Sequence, residues 1–202
     1  MMPGPDLYYK CPDCGKIHAK HSLASGYAIH AVYYTDNRRK SPMLPEFPSI
    51  TKCLQCGLIF WLDSSSKIEA QSDHSFDYAD FLTIDGYKEA LRQRVCKSEN
   101  QELDLRVRML WCWHDAIECG DLKEEDVYND EAYTKNIDAI QQQIDSNDIA
   151  GHLYLAELHR FAGRFEEAVA IFDEHLDNTE YTMIKESHRR CFEQDRRTYK
   201  MF

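Results

Sequence analysis

Residues 52–62 read KCLQCGLIFWL, and residues 10–16 read KCPDCGK. The two stretches share a lysine, a Cys-x-x-Cys pair and a following glycine, and thirty-eight residues separate Cys14 from Cys53. Two-residue spacing lets a tight turn present both sulfurs to one ion, and Gly15 and Gly57 supply the backbone freedom such a turn needs. Cys11, Cys14, Cys53 and Cys56 are therefore predicted to ligate one Zn²⁺ in a tetrahedral site. Four protein ligands leave no position for water or substrate, so the expected role is structural.

Tetrathiolate iron and a pair of redox dithiols are the other readings of these cysteines. Redox Cys-x-x-Cys sites are expected near a βαβ pattern, which is missing here. Around the pairs the chain reads as short strands and turns: GYAIHAVYYT at 26–35 is aromatic and β-branched, Asp36-Asn37 offers a turn, and three prolines in residues 38–49 forbid a helix. This pattern resembles a zinc ribbon over roughly residues 8–62, with the thirty-eight residues between the pairs forming an elongated strand pair. A segment of about 55 residues buries little core, so metal binding would supply much of its folding free energy. His18, His21 and His30 are surplus to a four-cysteine site and are expected at the surface or behind the ligands. The remaining cysteines, Cys96, Cys112, Cys119 and Cys191, lie in helix-like sequence and read as buried small hydrophobes.

The charge is uneven. Residues 1–62 hold seven Lys/Arg against four Asp/Glu (+3), and residues 63–202 seventeen against thirty-one (−14). Bound as thiolates to Zn²⁺, the cysteines bring the first part close to neutral. The acidic remainder argues against wrapping nucleic acid, whose affinity rests on neutralised phosphates. The longest apolar run, Leu58 to Leu62, is far below the ~20 residues of a membrane span, and MMPGPDLYYK lacks a basic start and an apolar core. A soluble, cytoplasmic protein with no membrane partner is expected.

Polar, aperiodic DSSSKIEAQSD predicts a linker within 63–82, and the pattern turns helical from about Asp85. Tyr87, Ala90, Leu91 and Val95 share one face; Ser98–Gln101 has capping-box spacing; a long helix follows with apolar stripes on two faces, ended by Gly120. Further helices are expected near 130–145, 150–162, 165–177 and 181–194. Within them, HLYLAELHRFAGRFEEAVAIFDEHL resembles one tetratricopeptide repeat. Leu155 and Ala156 supply its large-small pair, Gly163 its turn, and Phe165, Ala168 and Phe172 its second-helix signature. His159, His175 and Glu180 depart from it, standing where tyrosine, alanine and proline are usual. No second copy follows at the ~34-residue period, so a compact bundle is expected.

The predicted fold class is thus α+β: a β-rich zinc ribbon (1–62), a linker (63–82), and a six-helix bundle (83–202) with a tetratricopeptide-like hairpin at about 151–177. The whole resembles a group of bacterial proteins of this build whose function is uncharacterised. The leading functional expectation is a noncatalytic zinc-binding interaction or adaptor protein. By the analogy with tetratricopeptide grooves, Leu153, Glu157, Arg160 and Phe161 would face a protein partner. The alternative is nucleic-acid binding in transcription or RNA metabolism through Arg38, Arg39 and Lys40 beside a turn, with Tyr33 and Tyr34 preceding them. No enzyme is expected: phosphate loops, HExxH and GxSxG are missing, and Cys112 and His114, two apart on a helix, point away from each other. The alternating TYKMF at 198–202 fits an extended docked segment as well as a frayed end.

Overall fold

A computed structural model describes residues 1–69, 76–178, 181 and 183–201. Part of the expected linker (70–75), the approach to the last helix (179, 180 and 182) and Phe202 lie outside the described residues. The strands are β1 (Met2–Pro3), β2 (Leu7–Lys10), β3 (Ile17–Lys20), β4 (Leu23–Ser25), β5 (Val32–Tyr33), β6 (Arg39–Lys40), β7 (Ile50–Lys52), β8 (Ile59–Trp61), β9 (Lys67–Ile68) and β10 (Asp77–Tyr78). The helices are α1 (Ile84–Arg92), α2 (Glu99–Cys119), α3 (Glu124–Tyr128), α4 (Glu131–Gln141), α5 (Ile149–Phe161), α6 (Phe165–Asp173) and α7 (Met183–Phe192). The chain is α+β, in two units: residues 1–31 with 41–97, and residues 32–40 with 98–202.

In the first unit β2 and β3 form an antiparallel hairpin with Leu7 opposite Lys20 and Lys10 opposite Ile17. β9 extends it beside β2, and β10 lies parallel to β3 on the other edge, giving the order β10-β3-β2-β9. A second hairpin, β7–β8, sets Lys52 opposite Ile59 and Ile50 opposite Trp61. The segment 63–82, expected as a linker, therefore contributes two edge strands to this unit. Helix α1, expected in the bundle, also belongs here, with Tyr87 and Ala90 buried. Two bonds hold the approach to α1 and the segment after it: Thr51 Oγ1 donates to the Asp80 carbonyl (3.0 Å) and Trp61 Nε1 to that of Val95 (3.0 Å).

The second unit begins with an excursion from the first. β5 and β6 form a hairpin extended by Tyr34 N donating to the Arg38 carbonyl (2.9 Å); the three residues this closes, Thr35–Asn37, end with Asn37 in the left-handed region (φ 63°), the conformation that matches such a loop to twisted strands. Residues 199–201 lie antiparallel beside it through a single bridge: Tyr34 pairs with Lys200, Thr35 N donates to the Tyr199 carbonyl (3.1 Å), and Met201 N to that of Tyr33 (2.8 Å). The extended reading of residues 198–201 is the one realised.

Helix α2 starts where Ser98 accepts from Gln101 N and stops at Gly120 (φ 79°), whose conformation disfavours a side chain. Its buried stripe, Leu105, Met109, Leu110, Trp113 and His114, draws on both apolar faces read from the sequence. Helix α2 packs on α4, α4 on α5, α5 on α6, and α7 on both α5 and α6. Ala156 and Ala168 are fully buried in the cluster that joins α5, α6 and α7, with Phe172, Ile184 and Cys191 around them. Small side chains there let α5 and α6 approach closely, and any larger residue would force them apart. The short α3 has no counterpart in the sequence-based expectation.

Candidate metal centre

The two Cys-x-x-Cys turns are built alike at a constant offset of forty-two residues. Cys11 N donates to the Lys16 carbonyl and Gly15 N to that of Cys11 (2.8 and 3.1 Å); Cys53 N donates to Leu58 and Gly57 N to Cys53 (2.8 and 2.9 Å). Gly15 (φ 74°) and Gly57 (φ 80°) both occupy the left-handed region, where a side chain would be strained. Each turn joins one hairpin, β2–β3 or β7–β8, so the strands carry the sulfurs toward a common point.

That convergence is close. Cys11 Sγ lies 3.6 Å from Cys56 Sγ, and Cys14 Sγ 3.6 Å from Cys53 Sγ. All four sulfurs fall within 4.8 Å of one another. The separations are far too long for disulfides, whose S–S bond is about 2.05 Å. They fit one ion: sulfurs at about 2.3 Å in a tetrahedron stand about 3.8 Å apart. The sequence-predicted quartet is thus brought together with geometry compatible with a paired-knuckle metal site.

The surroundings favour thiolate at one ligand in particular. Burial acts to raise the Cys53 thiol, but the backbone N–H groups of Cys56 and Gln55 and the ring of His18 bring it down to about 6. Burial leaves Cys11 raised. His18 is buried with Nε2 3.4 Å from Cys53 Sγ, placed to donate to a metal-bound sulfur. It occupies in β3 the place that Phe60 holds in β8, and the two rings pack at 5.7 Å. Tyr9, Phe60 and Leu62 complete the buried cluster with Cys11 and Cys53.

The other candidate residues lie in the second unit, and all but Arg39 have internal partners or are buried. Arg38, Arg39 and Lys40, expected at the tip of the ribbon, sit at the end of the hairpin that folds with the helices. Arg38 is 4% exposed and stacks on Tyr34, its guanidinium facing Asp36 (3.6 Å), Asp115 and Glu118 (3.4 Å). Lys40 pairs with Asp115 (2.7 Å) and Glu118 (2.8 Å). Three carboxylates thus surround two of the three cations, which corrects the picture of a basic cluster open to a polyanion.

A second correction concerns α5. Leu153, Glu157, Arg160 and Phe161 are all buried: Leu153 packs in the α5–α6–α7 cluster, Phe161 meets the His114 ring at 4.8 Å, and residues 195–199 lie against Arg160. Arg160 pairs with Glu157 (2.5 Å) and donates from Nη1 to the carbonyls of Asp195 (2.6 Å) and Arg197 (2.9 Å). Ser187 donates to Glu157 as well and meets the Tyr199 hydroxyl at 2.6 Å.

A buried polar chain that the sequence did not signal runs through the same unit. His114 Nδ1 is 2.7 Å from Asp36 Oδ2, and its Nε2 is 3.0 Å from the Tyr133 hydroxyl. His114 also reaches the wall of a cleft of about 380 Å³ whose lining includes Tyr34, Glu118, Tyr128, Arg197 and Tyr199. Both ring nitrogens are thus hydrogen-bonded within the unit. Burial pushes the neighbouring Cys112 thiol up to about 11, the opposite of activation.

No protein-family model, no curated protein and no solved structure matches this chain. Among the described residues, no helix is long and apolar enough to cross a membrane.

Proposed function

We propose that this chain is a noncatalytic zinc-binding protein in which a zinc ribbon is stapled by one structural Zn²⁺, and that it works as an interaction or adaptor module. The observation that carries the reading is the four-sulfur cluster: two turns with matching hydrogen bonds bring four soft ligands within 4.8 Å of one another, enough to fill a tetrahedral coordination sphere. Zinc is preferred over iron because a closed structural site needs no redox chemistry. The α5–α6 hairpin is read as tetratricopeptide-like on its buried small residues, Ala156 and Ala168, and its left-handed Gly163 turn.

With the α5 face covered, support for a protein partner comes from the first unit. Tyr27 and Ile29 are each 59% exposed and Met43 39%, on two chain segments joined by the bond from Tyr27 N to the Met43 carbonyl. Large apolar side chains gathered at a surface mark contact sites more often than isolated ones do. The nucleic-acid reading has no comparable support, given the acids around Arg38 and Lys40.

Elemental analysis of the purified chain tests the metal assignment: about one zinc per chain is expected, and about none after Cys53→Ser. Iron in its place, or four freely titratable thiols in the native protein, would overturn it. For the adaptor role, Tyr27→Ser with Ile29→Ser should abolish a nuclease-resistant partner recovered with the unaltered chain; recovery of nucleic acid alone would refute it.

A further inference from the structure

We propose a second, separate metal site in the helical unit, formed by His152, His175 and Glu174, that takes a divalent late transition ion such as Zn²⁺ or Ni²⁺. His152 lies in the first turn of α5 and His175 just beyond α6. The two helices run antiparallel about the turn at Gly163, so these residues meet at the opposite, open end of the hairpin. Nδ1 of His152 and Nε2 of His175 are 3.1 Å apart, and a Glu174 carboxylate oxygen lies with them in a group spanning no more than 4.8 Å.

The nitrogen separation is what one shared ion requires. Two imidazole nitrogens each about 2.0–2.1 Å from a metal stand about 2.9 Å apart at a right angle and about 3.4 Å apart at the tetrahedral angle. The observed distance falls between these limits. The rings meet edge to face, with planes at 88° and centroids 5.2 Å apart. Without an ion the same pair can share a single N–H···N bond, so the rings are held facing each other in either state.

The backbone that presents them is fixed. Leu153, next to His152, and Phe172, whose carbonyl accepts from His175 N at 3.0 Å, are both buried in the α5–α6–α7 cluster. Glu174 is exposed and can turn its carboxylate onto the ion at little cost. Two imidazoles and one carboxylate select zinc, nickel or copper over magnesium and calcium, which prefer all-oxygen sites. Three protein ligands leave at least one position for water, unlike the closed cysteine site. The two sites therefore differ in donor chemistry and in access.

The test uses the full chain without a polyhistidine tag, its cysteine site loaded with one equivalent of Zn²⁺. Calorimetric titration with further Zn²⁺ should show one additional equivalent. His152→Gln and His175→Gln should each weaken it by more than the roughly 10- to 100-fold that loss of a supporting hydrogen bond costs, while the first equivalent stays bound. Glu174→Gln should weaken it less. If a histidine variant does not fold, the imidazole resonances of the unaltered chain decide: His152 and His175 should shift with the second equivalent. No second equivalent, a second equivalent indifferent to both histidine variants, or shifts at other histidines would overturn the proposal. The cysteine site would stand in any of these cases.

Discussion

The two units bury their interiors by different means. In the first, the strands are two to four residues long, and two of the five members of the buried cluster, Cys11 and Cys53, are themselves candidate ligands. In the second, helices of up to 21 residues bury Trp113, Tyr133, Phe161 and Phe172 completely, with room left for the polar side chains of Asp36, Glu157 and Arg160. Where apolar area is scarce, coordination of an ion by these cysteines would substitute for it. Where it is plentiful, charges can be taken out of water if each finds a partner.

Removing the metal should break this contrast most visibly. Structural zinc contributes about 10–16 kcal/mol in small zinc-dependent folds, far more than a marginal domain holds in reserve. A strong chelator, or Cys53→Ser, should erase amide-exchange protection in β2, β3, β7 and β8 while the far-UV helical signal of α2 to α7 persists. Parallel loss of both signals would show that the second unit depends on the first.

Next in size is the buried ion pair of the second unit. Arg160→Ala leaves Glu157 buried without its guanidinium partner and frees two carbonyls in residues 195–197; about 3–5 kcal/mol should be lost from the helical unfolding transition in urea. Replacing both by apolar residues, Glu157→Leu with Arg160→Met, should cost less than the single change. If the double variant costs more, the pair contributes net stability rather than merely avoiding a penalty.

The smallest effect concerns acid. Burial acts to raise the Asp36 carboxyl, but the bond to His114 and the charges of His114 and Arg38 outweigh it, so its pKa lies below the ordinary value. The folded chain then binds fewer protons at this group than the unfolded chain does. The resulting stability is complete above about pH 3.9, the unfolded value, and is lost as pH falls through the lower folded one. Asp36→Asn should flatten the acid limb of helical stability measured from about pH 5 to pH 2, leaving a shallower slope from other depressed carboxylates such as Glu186, drawn down to about 2 chiefly by Arg189 and also by Arg190. An unchanged acid limb would show that Asp36 does not govern it.

How much of this was legible in the sequence depends on how far apart the partners lie along the chain. The cysteine quartet was readable because each half is written in six contiguous residues and marked by a glycine that its turn requires. The α5–α6 hairpin was likewise local, down to Ala156, Gly163 and Ala168. The covering of α5 was not: periodicity shows which face of a helix is apolar, and gives no sign that residues 195–199 will lie against Arg160. Residues 63–82 read as a linker because β9 and β10 are edge strands of two residues each with mostly exposed side chains, too short to print an alternating pattern. Arg38 looked like a surface cation because its acids, Asp115 and Glu118, stand nearly eighty residues away.

The pairing of Tyr34 with Lys200 also orders events in time. A ribosome adding about 5–20 residues per second exposes the 32–40 hairpin on the order of ten seconds before residues 199–201 exist. Throughout that interval one hairpin edge carries open N–H and C=O groups, the kind of edge on which neighbouring chains aggregate. Bringing together partners so distant in sequence is also slow. Synthesis halted before residue 199 would leave that edge unpaired.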